Sequence, residues 1–132
     1  MAHFSLNFVC DDDEEASLFV SLDTGDFKGQ GHYWCPPREF ENLRAALRTY
    51  PIPKERPLAM LWYGGCIELH VEPIDSIGHL AVSVAVREFS SDWNRCQSRF
   101  HTTYGELDRF REQLDRAIDE GCGEAVLAAR SD

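Results

Sequence analysis

Residues 67–73, IELHVEP, alternate strictly: Ile67, Leu69 and Val71 share one side of an extended chain, and Glu68, His70 and Glu72 share the other. A period of two marks a strand with one buried and one wet face. The same pattern extends in both directions. Phe4, Leu6, Phe8 and Cys10 align within residues 3–10, and Leu18, Val20 and Leu22 align within 17–22. DTGD at 23–26 supplies a turn into a third strand over 27–34, where Gly29 and Gly31 mark a bulge or the close approach of another backbone. Further strands fall at 58–62, 66–72 and 79–87, the first two joined by a turn at Gly64 and Gly65. In the last of these, Leu80, Val82, Val84 and Val86 alternate with Ala81, Ser83 and Ala85, so both sides suit an interior position. Residues 95–103 are polar enough for a strand nearer an edge.

Two segments change period. After Pro36 and Pro37, which suit a first helical turn, Phe40, Leu43, Leu47 and Tyr50 recur at three- and four-residue steps until Pro51 and Pro53 stop them. Residues 103–121 repeat the pattern with Leu107, Phe110, Leu114 and Ile118. Thr103 and Glu106 have capping-box spacing, and Gly121 is a C-terminal stop. EAVLAA at 124–129 fits either a strand or a helical tail. The expected fold is a single α+β domain over 1–132: a largely antiparallel sheet of six to seven strands with two amphipathic helices packed on one face.

Thirteen basic against twenty-three acidic side chains give a net charge of −10. That field repels phosphate and anionic lipid, so neither nucleic acid nor a membrane is expected as a partner, whereas a basic protein surface is attracted. No apolar run approaches the roughly 20 residues needed to cross a bilayer, and no basic leader opens the chain. Five scattered cysteines without a CxxC pair fit a reducing, cytoplasmic setting.

The strongest surface feature is DDDEE, where Asp11, Asp12, Asp13, Glu14 and Glu15 are too self-repelling for a sheet interior. Asp23 and Asp26 lie in the next turn. The spacing lacks the alternate ligands and glycine of a calcium loop. It is either a solvated loop or a docking surface for a basic partner, with Tyr33, Trp34, Trp62 and Tyr63 as anchors or as core. Glu68, His70 and Glu72 are the alternative site, a metal-binding or hydrolytic set. No accompanying HxH or HExxH spacing supports it, and a solvent-facing strand explains the residues equally. Cys35 stands near a helix N-terminus, a place where thiols become reactive. Gly29 and Gly31 precede no helix and form no phosphate loop. No cofactor and no catalytic group is expected, and a self-pairing structural subunit is the third reading.

The order of elements, with REFENLRAAL in the first helix and GELDRFREQL in the second, resembles small bacterial proteins of the WapI-like immunity type. The likeness covers most of the chain, through apolar stripes and not fixed residues. It implies a non-enzymatic inhibitor that sequesters a basic toxin or effector inside the producing cell.

Overall fold

A computed structural model describes residues 2–12, 14–62, 66–88 and 91–130, and at 62, 88 and 91–94 the backbone alone. The elements run β1 (His3–Cys10), β2 (Ala16–Asp23), β3 (Lys28–Cys35), α1 (Arg38–Ala46), β4 (Leu58–Trp62), β5 (Ile67–Pro73), β6 (His79–Glu88), β7 (Ser91–Thr103), α2 (Tyr104–Glu120) and β8 (Cys122–Ala128). The expected turn at Gly64 and Gly65 lies outside the described residues.

The single sheet of six to seven strands is corrected to two antiparallel sheets of four, ordered β3-β2-β1-β8 and β4-β5-β6-β7. The physical reason lies in the two helical excursions. The first carries the chain out of the β1–β3 meander and starts a new one. The second returns it, so that β8 pairs with β1 from His3↔Ala128 to Val9↔Cys122. Gly121, at φ 80°, makes that reversal in a conformation costly for a side chain. The C-terminal segment is thus a strand.

Both sheets turn one face into a shared core. Phe4, Leu6, Phe8, Leu18, Val20, Leu22, Ala125 and Leu127 come from the first, and Ile67, Leu69, Val71, Leu80, Val82 and Val84 from the second. The helices cover the inner side of the first sheet: Phe40 of α1 stacks on Phe8 at 4.0 Å, and Phe110 of α2 meets Phe4 at 6.3 Å. Thr103 caps α2 as its spacing foretold, accepting from the Glu106 amide at 3.2 Å. Tyr50 departs from the expected stripe, because α1 ends before it and its ring is 72% exposed.

β7 closes the core by crossing one end of the first sheet. At β3 a Cβ on Gly29 would overlap the Cβ of Cys96, which explains the glycine as a close backbone approach. At β8 Thr102 Oγ1 donates to the Ala128 carbonyl at 2.7 Å. Gln113 of α2 accepts from the Val126 amide at 2.8 Å, so side chains satisfy groups on the outer edge of β8.

Candidate functional site

The wet side of IELHVEP is the outer face of the second sheet. Register places Glu68, His70 and Glu72 opposite Ala85, Ser83 and Ala81 of β6, with Gln97, Arg99 and His101 of β7 beyond. The small β6 side chains leave room for long ones to meet over them. Arg95 reaches Glu68 at 3.6 Å, and Arg99 reaches Glu72 at 3.3 Å. Both glutamates are therefore half of a cross-strand ion pair, flanking an exposed His70. Among the described residues no group of three or more His, Cys, Asp or Glu side chains is arranged to hold a metal ion.

The Cys35 thiol is buried at the end of β3. Burial, then the neighbouring Glu39 carboxylate, pushes its pKa up to about 11. A helix N-terminus lies nearby, yet the thiol is held protonated, the opposite of an activated nucleophile.

The acidic residues divide into two groups. Asp11, Asp12, Glu14 and Glu15 are exposed in the β1–β2 hairpin, and Asp13 lies outside the described residues. Asp12 is the pin of this loop: its Oδ1 accepts from the amides of Glu14 at 2.7 Å and Glu15 at 2.8 Å. The Asp11 amide donates to the Glu15 carbonyl at 3.1 Å, extending the hairpin by one step. Asp11, Glu14 and Glu15 are left pointing their charge at solvent.

Asp23 and Asp26 belong to the β2–β3 turn, at the other end of the eight-residue β2. At about 3.3 Å per residue that is roughly 25 Å away, so the two acidic groups do not form one patch. Asp23 is also engaged locally. It accepts from the Gly25 amide at 2.8 Å and lies 3.7 Å from Lys28. The Gly25 hydrogen bond first, and then Lys28 and His3, hold its carboxyl below the usual range against the opposing effect of burial.

Of the four aromatic residues read as anchors or as core, Tyr33 is core, donating its hydroxyl to the Arg87 carbonyl at 2.6 Å. Trp34 is 47% exposed on the outer face of the first sheet. The side chain of Trp62 and all of Tyr63 lie outside the described residues. Two members of the exposed group escaped the sequence reading. Phe19 of β2 stacks on His32 of β3 at 4.1 Å and 7°, and His32 leans on Trp34 at 4.2 Å. The signal was present in parity, since Phe19 stands out of phase with Leu18, Val20 and Leu22.

Register then joins the aromatic group to the hairpin. Val9, Ser17 and Trp34 form one row across β1, β2 and β3 on the outward face. Asp11 and Glu15 lie just beyond the ends of β1 and β2, two positions on from Val9 and Ser17, where the Asp11 amide still donates to the Glu15 carbonyl. No family model matches the chain, and no curated protein matches it. Among the described residues no helix is long and apolar enough to cross a membrane.

Proposed function

We propose that this is a non-enzymatic binding protein that captures a basic protein partner at the β1–β2 hairpin, in the manner of a bacterial immunity protein neutralising a cationic toxin in the cytoplasm. The observation that carries this reading is the placement of exposed Asp11, Glu14 and Glu15 at the rim of a sheet face bearing Val9, Phe19 and Trp34. Negative potential speeds encounter with a cation and rejects anionic competitors. Adjacent apolar and aromatic surface supplies the desolvated contacts in which affinity resides. Nuclease toxins need positive charge to hold phosphate, so an acidic inhibitor fits the same groove.

The partner is sought among basic proteins encoded next to this chain's gene. Co-expression with this protein restores growth of cells making the toxic one. The Asp11→Asn/Glu14→Gln/Glu15→Gln variant, which keeps the Asp12 pin, slows association and flattens its salt dependence. Unchanged association kinetics in that variant would remove the hairpin from the interface.

A further inference from the structure

The aromatic row beside the hairpin has a chemistry more specific than net charge. Three rings, Phe19, His32 and Trp34, stand on the outer face of the first sheet as a continuous stack. The middle ring is held on two sides, by Phe19 at 4.1 Å and by the Ser17 hydroxyl at 3.0 Å from its Nε2. Little side-chain entropy remains to be lost there on binding. Among the described residues the other exposed apolar side chains lie apart from this face's stack: Phe27 in the β2–β3 turn, Tyr50 edge-on to Tyr104, Leu61 on β4, and Ile74 and Ile77 in the β5–β6 turn. Val9, Phe19 and Trp34, 49%, 54% and 47% exposed, gather on one face.

Resting on the proposed basic partner, we infer that this face is its docking surface and that the group it recognises is an arginine side chain laid over Trp34. The charge pattern selects the occupant. Two positions beyond the Val9–Ser17–Trp34 row, Glu15 lies one strand over from Trp34 and Asp11 two strands over, roughly 8 Å and 12 Å away between backbones and within reach of a long side chain. A guanidinium stacked on the indole lies within about 6 Å of the ring centre and turns its paired N–H groups toward those carboxylates. Lysine, a compact and strongly hydrated point charge, satisfies the carboxylates but stacks poorly. The far end of the same face carries Lys28, close to Asp23, and so offers a second cation no comparable place.

The test uses the full chain with a fluorescent arginine-rich peptide and its lysine counterpart of equal length and charge, at low salt. The arginine peptide binds about fivefold more tightly or better, a preference that Trp34→Leu and, separately, Phe19→Ser reduce to near unity while weak, salt-sensitive binding of both peptides persists. Circular dichroism confirms that each variant is folded. Equal affinity for the two peptides, unaltered by either substitution, overturns the arginine assignment and leaves the acidic hairpin as the interface. Absence of binding to both peptides by the wild-type chain overturns the basic-partner reading as well. A concentration-dependent dimer that Trp34→Leu dissociates, and that neither peptide competes with, assigns the face to a second copy of this chain and also overturns the inference.

Discussion

Arg44 of α1 lies with its Nε 2.8 Å from Oδ1 of Asp115 on α2, out of hydrogen-bond alignment, while its terminal nitrogens reach Asp119 at 3.3 Å. Glu41, one turn back on α1, is 3.8 Å away. Burial opposes the charge of this guanidinium, but Asp115, then Asp119 and Glu41, outweigh it and raise its pKa. One cation therefore holds three carboxylates at the helix–helix contact. Arg44→Ala leaves these carboxylates facing one another. Thermal melts should show a loss of stability that added salt partly restores, because screening weakens the repulsion. Arg44→Ala/Asp115→Ala should melt above Arg44→Ala alone. Equal melting of the two would show that the lost packing of the arginine stem, and not charge, is the cause.

Gly29→Ala inserts a methyl group where β3 meets β7. Its Cβ would overlap the Cβ of Cys96, so the two backbones must separate. Overpacking of this kind costs about 1–3 kcal/mol. Urea denaturation should give that loss in Gly29→Ala, with less rescue by Cys96→Ala, which removes the crowded sulfur but keeps the closer carbon, than by Cys96→Gly, which removes both. Equal rescue by the two would instead place the conflict at the sulfur alone.

Acid sensitivity is predicted at the β5–β6 turn. Burial raises the Asp75 pKa, but the amides of His79 and Ile77, with the His79 imidazole 2.5 Å away, outweigh it and hold the carboxyl below its ordinary value. The folded state thus binds the proton more weakly than the unfolded chain. Its contribution to stability is present above the unfolded pKa of about 3.9 and disappears as pH falls through the lower folded value. Asp75→Asn removes that dependence. Its stability, measured by urea midpoints, should fall less steeply on acidification than that of the wild type, and Asp23→Asn should add to the effect for the same reason.

Thiol chemistry should be ordered by environment. Cys122 is exposed, whereas Cys35 is buried with its pKa pushed up to about 11. Iodoacetamide near neutral pH should label Cys122 first and Cys35 only at the rate of unfolding, as read by peptide mass spectrometry. Because the Cys35 pKa is raised on folding, its protonated form favours the folded state up to about pH 8.5 and loses that advantage as pH rises toward about 11. Fast labelling of Cys35 under native conditions would contradict this.

Much of the fold was legible because alternation is a local property. The phase of Phe4, Leu6 and Phe8, or of Ile67, Leu69 and Val71, reports which side is buried whatever strand lies alongside. Partner choice is not local, so alternation alone does not distinguish two four-stranded sheets from one larger sheet. The period of β7 gives no notice that Cys96 will press on Gly29, nor does β8 announce that it returns to β1. The acidic residues show both sides of the same limit. Asp11 and Asp23 are near in sequence yet stand at opposite ends of β2. Phe19 and Trp34 are fifteen positions apart, yet hairpin register brings them to one stack through His32.

The position of β1 between β2 and β8 has a consequence for biosynthesis. Of the two neighbours of β1, one follows within a few residues, while the other is residues 122–128. During translation the β1–β3 meander emerges early with the other hydrogen-bonding rim of its first strand unoccupied, and it waits in that state for nearly the whole remaining chain. Nascent protein is thus vulnerable to capture by a like strand of another molecule. A chain cut short before β8 retains that vulnerability permanently and should accumulate as aggregates, whatever the condition of its second sheet.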